Sequence, residues 1–127
     1  MDTAERFAQV SCCSRLKVGA LVVKNDSILA HGWNGTPSGF STNSCEEADG
    51  STSKFVLHAE ENVLVKMAKS TESIEGATMF CTHSPCASCS KLIAQCKVKK
   101  LYYKYEYRIT DGLDILKSLN VEVERVV

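Results

Sequence analysis

A chain of 127 residues, 44% of them hydrophobic, is long enough for one domain over residues 1–127 with a single modest core. Its 15 basic and 15 acidic side chains cancel, which argues against a nucleic-acid-binding face, and no apolar run approaches the roughly 20 residues that span a membrane. The polar opening Met1-Asp2-Thr3-Ala4-Glu5-Arg6 is not a signal peptide, and seven cysteines, an odd number that includes one C-x-x-C, fit metal binding in a reducing cytoplasm better than a disulfide framework.

Residues 2–14 predict a helix that buries Ala4, Phe7, Ala8 and Val10, with Cys12 and Cys13 as small buried hydrophobes at its end. Residues 18–23 form a short apolar run of strand type, Lys24-Asn25-Asp26-Ser27 a turn, and residues 28–31 the returning strand of a hairpin, where His31 is structural or on the surface. From Gly32 to Ser53 the composition turns to Gly, Ser, Thr and Asn, with Pro37 and Cys45 inside. A loop this long in a small domain is usually functional or disordered, and its place between an edge strand and His58 reads as part of the active-site wall. Phe55-Val56-Leu57 leads into a helix that opens at His58, ends near Lys69 and buries Ala59, Val63, Leu64 and Met67.

Residues 77–82 predict a third strand, with Cys81 inside the sheet, that delivers Ser84 and two cysteines at its carboxyl end. Ser84 is a natural helix cap and Pro85 fits a first turn, so Cys86 and Cys89 fall on one helix face, followed by an apolar stripe of Leu92, Ile93 and Cys96. Residues 100–104 make a fourth strand, Thr110 or Asp111 caps a helix carrying Leu113, Leu116 and Leu119, and residues 121–126 make a fifth strand. A hairpin followed by alternating helices and strands predicts an α/β fold, a three-layer α/β/α sandwich around a five-stranded mixed sheet. Ligands of such sheets gather at the carboxyl ends of the strands.

The chemistry is concentrated in His58-Ala59-Glu60 and Ser84-Pro85-Cys86-Ala87-Ser88-Cys89. One imidazole and two thiols suit zinc, and a catalytic zinc keeps three protein ligands with its fourth position open to water. A helix N-terminus beside Cys86 and Cys89 stabilises thiolate charge. Glu60 is not needed as a ligand and stands close enough to move the water's protons. A closed structural site would want a fourth ligand, and neither His31 nor His83 is spaced to supply it.

These segments resemble the deoxycytidylate (dCMP) deaminases of the zinc-dependent cytidine deaminase superfamily, whose signature is H-x-E followed by P-C-x-x-C. The resemblance runs through Ser11, Cys13 and Arg15, the segment Gly32-Trp33-Asn34-Gly35-Thr36-Pro37-Ser38-Gly39, the zinc motif, Gly76-Ala77-Thr78-Met79 and Tyr107-Arg108. It implies hydrolytic deamination of dCMP to dUMP, a supply step for thymidylate synthesis. His58, Cys86 and Cys89 would hold Zn2+, which lowers the pKa of its water toward neutrality. Glu60 would carry protons from water to the cytosine N3 and then to the departing ammonia. The backbone at Ala59 and Ser84 would orient the pyrimidine edge, Asn34 would meet the sugar, and Arg15, Tyr107 and Arg108 the 5′-phosphate and the base. The resemblance further implies a homohexamer activated by dCTP with Mg2+ and inhibited by dTTP. The glycines and hydroxyls of the Gly32–Gly39 loop offer backbone donors suited to phosphates, so Gly35, Thr36 and Ser38 are candidate effector contacts, with Lys17, Lys24 or a neighbouring subunit as equal alternatives.

Trp33 stands where the resembling family usually has Tyr, and Glu106 where Asp often precedes the Tyr-Arg pair. Some members hold a second, structural zinc with thiols placed like Cys13 and Cys45, but residues 46–57 lack the accompanying histidine, so that site is expected to be absent. Two other readings compete. One is a superfamily deaminase acting on free cytidine, tRNA adenosine or a pterin-like base; the other is a non-catalytic zinc-binding interaction module, in which Glu60 has no purpose.

Overall fold

The computed structural model describes residues 1–127. Its elements in chain order are α1 (Asp2–Ala8), β1 (Gly19–Lys24), β2 (Ser27–Trp33), α2 (Ala59–Ala68), β3 (Thr78–His83), α3 (Ala87–Gln95), β4 (Lys100–Tyr105), α4 (Asp111–Ser118) and β5 (Glu122–Arg125). The five strands form one sheet in the order β2-β1-β3-β4-β5. β1 runs antiparallel to both β2 and β3, while β3, β4 and β5 run parallel. The sheet is therefore mixed, as the hairpin followed by strand–helix alternation predicts.

The hairpin turn is set by Asn25 and Asp26, whose φ values of 51° and 62° give the two left-handed residues that match the twist of the flanking strands. Alternation along β1 then sorts its side chains. Ala20 and Val22 face a core that also takes Met79, Leu101, Val63, Ile93 and Leu116. That face carries α2, α3 and α4. The opposite face carries α1 over Gly19, with Phe7 stacked on His31 at 4.0 Å between ring centres and on Trp33 at 6.2 Å. Gly32 lets α2 approach the sheet, because a Cβ there would sit 2.8 Å from the Ala59 carbonyl oxygen. Gly112 does the same between α4 and the start of α3, where a Cβ would sit 2.1 Å from the Pro85 oxygen. Both glycines fix how the helix starts that carry the chemistry are seated.

The structure corrects several expectations. α1 ends at Ala8 rather than near residue 14, because Ser11 leaves the helical path to donate from Oγ to the Asn34 carbonyl at 2.7 Å. Val10 is consequently exposed, and so are Leu92 and Leu119 at the outer edges of their stripes. Cys12 is exposed, while Cys13 is buried and joined to Cys45 in a disulfide. Composition alone favoured free thiols, but it could not show that residues 13 and 45 meet across 32 positions of chain. Cys81 is buried in the sheet as expected.

Candidate active site

His58 sits at the N-cap of α2, where the chain is still extended, and its N–H donates to Glu61 Oε1 at 2.7 Å. That bond occupies an otherwise open backbone donor and fixes the entry of the helix. Cys86 is the N-cap of α3 and Cys89 lies in its first turn. This is two residues later than a cap at Ser84. The reason is the continuing parallel pairing of the strand ends: the Ser84 N–H donates to the Tyr105 carbonyl at 2.9 Å, and Ser84 Oγ accepts from the Tyr107 N–H at 2.8 Å. Ser84 thus ties the zinc loop to the segment after β4.

The three candidate ligands converge as their spacing predicts. His58 Nδ1 lies 3.3 Å from Cys89 Sγ and 3.6 Å from Cys86 Sγ, and all three donor atoms fall within 4.8 Å of one another. Hydrogen bonds from Cys89 and then from His58 hold the Cys86 thiol down at about 3, whereas the same contact with Cys86, together with burial, pushes the Cys89 thiol far up. The donor set, one imidazole and two thiols with a fourth side open to the cavity, fits zinc.

Glu60 lies beside this trio and lines the same cavity. It is 4% exposed, its Oε1 has no hydrogen-bond partner, and burial raises its carboxyl to about 7. An orphaned carboxylate oxygen in the interior is costly unless something reacts with it. A carboxyl poised near neutrality in a cleft is the arrangement a proton carrier needs.

A cavity of about 600 Å³ opens over the trio. Its floor includes His58, Ala59, Glu60 and Cys86, and its rim includes Arg15, Asn34, Glu46, Tyr107 and Arg108. Arg15 is exposed, but its guanidinium is held by the Gly50 carbonyl at 2.8 Å and by Thr52 Oγ1. Glu46 receives the Arg15 N–H at 3.2 Å and the Ser14 hydroxyl at 3.1 Å. Glu46 and Thr52 were missed in the sequence, where nothing marks a polar loop residue as the holder of an arginine 31 or 37 positions earlier. Burial raises the Tyr107 hydroxyl to about 12, so it stays protonated at the rim.

Asn34 reaches the cavity wall with its amide largely engaged. Its Oδ1 accepts from the Val18 N–H at 2.8 Å and its Nδ2 donates to the Leu16 carbonyl at 2.8 Å. It therefore clamps residues 16–18 to the end of β2 and retains one N–H and one lone pair. Gly35, Thr36 and Ser38 do not line the cavity. Gly35 exchanges backbone hydrogen bonds with Leu57, the residue before His58, and the Thr36 hydroxyl donates to the Thr42 carbonyl at 3.0 Å.

A metal trio from two helix starts, a buried carboxyl and a cleft at the carboxyl end of a parallel strand pair define a zinc-dependent deaminase site. Residues 1–105 match the family model of the cytidine and deoxycytidylate deaminase zinc-binding region, and the chain belongs to that family. Among curated proteins it is 35% identical to the deoxycytidylate deaminase of Enterobacteria phage T4, over 99% of this chain and 87% of that one. Among solved structures, the dCMP deaminase of cyanophage S-TIM5, crystallised with dCMP and dUMP, is 71% identical, with a TM-score of 0.97 over 98% of this chain and 92% of that one. A diaminohydroxyphosphoribosylaminopyrimidine deaminase/reductase from Thermotoga maritima shares the fold at a TM-score of 0.75 and 23% identity.

Proposed function

We propose that the chain deaminates dCMP hydrolytically to dUMP. The observation that carries this reading is the buried Glu60 carboxyl, with its unpartnered oxygen, beside the His58–Cys86–Cys89 trio on the floor of a cavity rimmed by two arginines. The cyanophage relative, crystallised with both dCMP and dUMP, supports the substrate assignment.

His58, Cys86 and Cys89 would hold zinc, which would supply the Lewis acidity that activates water near neutral pH. Glu60 accepts a proton from the attacking water and passes it to the pyrimidine N3. Glu60 then takes a second proton from the new C4 hydroxyl and delivers it to the amine, so that the C4–N bond breaks, the C4 carbonyl forms and ammonia departs. A carboxyl near 7 suits both directions of transfer. The backbone at Ala59 and Ser84 orients the pyrimidine edge, and Tyr107 covers the base. The remaining polar capacity of Asn34 serves the deoxyribose. Arg15 and Arg108 meet the 5′-phosphate, for which a guanidinium fork is well shaped.

The product would feed thymidylate synthesis, with the enzyme working in the cytoplasm, as a single domain, without nucleic-acid partners. No helix is long and apolar enough to cross a membrane. Regulation follows the same reading: a homohexamer activated by Mg2+–dCTP and inhibited by dTTP, with effector phosphates near Gly35, Thr36 and Ser38. Since the Gly35 N–H is committed to Leu57, its part is to join the effector loop to His58. Sigmoidal dCMP kinetics that turn hyperbolic with Mg2+–dCTP are expected; kinetics unmoved by either triphosphate remove the regulatory proposal alone.

The deciding experiment compares ammonia release by zinc-loaded protein from dCMP, dCTP, cytidine and deoxycytidine. A strong preference for dCMP supports the proposal. Equal turnover of deoxycytidine would refute phosphate recognition, and no turnover of any of the four would return the chain to a non-catalytic role.

A further inference from the structure

Cys13 and Cys45 line the cavity, and a third cysteine, Cys12, lies beside them, apart from the His58–Cys86–Cys89 trio. Cys13 and Cys45 form a disulfide, and each is only 2% exposed. Cys12 is exposed, and its sulfur lies 4.0 Å from that of Cys45. The Cys12 sulfur also rests over Gly35, where an added Cβ would lie 3.7 Å from it. We propose that Cys12, Cys13 and Cys45 form a thiol–disulfide exchange site that takes dithiol reductants as its substrates and sets how firmly the long loop holds Arg15.

The burial pattern favours one order of events. Cys13 and Cys45 are each 2% exposed and meet solvent only through the cavity they line, whereas Cys12 is openly exposed, and exchange requires direct attack on sulfur. Cys12 is the more reachable group and is already beside Cys45. Its thiolate attacks Cys45 Sγ; the Cys12–Cys45 bond forms, the Cys13–Cys45 bond breaks, and Cys13 leaves as a thiolate. Cys13 takes up the proton that Cys12 gave to solvent, so no electron enters in this step.

The new disulfide has one exposed sulfur. A dithiol attacks Cys12 Sγ and releases Cys45 as a thiolate that is then protonated. The second thiol of the reductant attacks its own half of the mixed disulfide and frees Cys12. The reductant has then lost two electrons and two protons, and the protein has gained them. Run backward, the same steps let a cyclic disulfide oxidise the buried pair.

The disulfide is the covalent tie between the segment that carries Arg15 and the loop that carries Glu46, Gly50 and Thr52. Once it is reduced, that junction depends on the hydrogen bonds of Ser14 and Arg15, all of them exposed. Reduction should therefore loosen the Arg15 rim while leaving the zinc trio, held by α2 and α3, in place. This consequence for substrate rests on the reading of Arg15 as a phosphate contact; the exchange itself does not.

The test uses zinc-loaded protein without nucleotide. Dithiothreitol is added, the reaction is quenched by alkylation at intervals, and the free thiols are mapped by mass spectrometry. Cys12→Ser should slow reduction of the Cys13–Cys45 bond by about tenfold or more, since it removes the only exposed attacking thiol at the pair. In a Cys13→Ser variant, oxidised dithiothreitol should produce a Cys12–Cys45 bond. Equal reduction rates in wild type and Cys12→Ser, or failure to form that bond, overturn the exchange site. A second arm measures dCMP kinetics before and after reduction, with zinc content followed. A several-fold rise in KM with kcat and zinc unchanged supports the coupling to Arg15, and an unchanged KM refutes it. Absence of dCMP turnover in both states refutes the deamination reading and leaves the alkylation result standing.

Discussion

At the base of the cavity, His58, Cys86 and Cys89 stand at the starts of two helices packed on a hydrogen-bonded sheet, with Glu60 buried beside them and lining the same floor. On the rim, Arg15, Glu46 and Thr52 come from irregular segments joined by side-chain hydrogen bonds and one disulfide. The floor is held by buried apolar contacts such as Val63, Ile93 and Met79, so its geometry persists whatever the rim does. The rim can change its grip without disturbing His58, Cys86 and Cys89. On the proposed reading, reaction chemistry and substrate selection thus fall to parts of different stiffness.

Removing the proton carrier should break the floor's function most severely. Glu60→Ala is expected to retain zinc and lose at least about 10²–10⁴-fold in turnover, the range for general acid–base catalysis; parallel metal analysis and ammonia assays check it. Near-normal rates in a zinc-loaded variant would refute the mechanism. Perturbing the rim should give a smaller and more selective effect. Arg15→Ala or Arg108→Ala is expected to reduce kcat/KM for dCMP by an amount corresponding to about 1.5–3 kcal/mol, the worth of a hydrogen bond to a charged group. Activity on deoxycytidine should change little. Equal losses on both substrates would mean that these arginines are structural and that the two regions are not separate.

The stiffness of the floor can be probed at Gly112. Gly112→Ala would place a methyl 2.1 Å from the Pro85 oxygen and 2.7 Å from Ser90 Oγ, and α4 must shift to admit it. A loss of about 1–3 kcal/mol in unfolding free energy by urea titration is expected for such overpacking. A neutral substitution would show the seat of α3 to be softer than the comparison requires.

The smallest effect concerns pH. His83 stacks against Tyr105 and Tyr107, and burial lowers its pKa from 6.5. Thr82 Oγ1 lies 2.9 Å from its Nδ1, and Glu5 and Lys17 line the same crevice, with Glu5 paired to Lys104 at 2.5 Å. A depressed folded pKa means that the unfolded chain takes up the proton first as pH falls. The contribution is present above 6.5 and lost as pH drops through the folded value. Wild type should lose slightly more Tm on acidification than His83→Phe; identical slopes would show that the ring is not held neutral by the fold.

The difference between floor and rim also explains what the sequence discloses. Candidate metal ligands at helix starts obey short spacing rules, so the clustering of His58, Cys86 and Cys89, with Glu60 beside them, is readable from two local motifs. The hairpin and the mixed sheet are readable because short apolar runs, an Asn-Asp turn and helical stripes are local signals too. Rim partners are joined across large separations by single hydrogen bonds, and no local pattern announces Glu46 for Ser14 and Arg15 or Cys45 for Cys13. Asn34 shows the limit of transfer by resemblance: its position at the wall was legible, but its two bonds to residues 16 and 18 were not. The end of α1 was misplaced for a related reason, since Ser11 gives up helix for a partner 23 residues away.

The sheet also ends in a deliberate way at β5. This strand is four residues long and reads Glu-Val-Glu-Arg, and Lys100 on the neighbouring strand reaches Glu124 at 3.1 Å and Glu122 at 3.9 Å. Exposed ion pairs of this kind add little to stability. Their effect is on self-association: another chain that sought to extend the sheet there would meet a short edge lined with charge and would have to strip its water. This edge of the sheet therefore discourages growth by strand addition, which turns contact between copies away from β5.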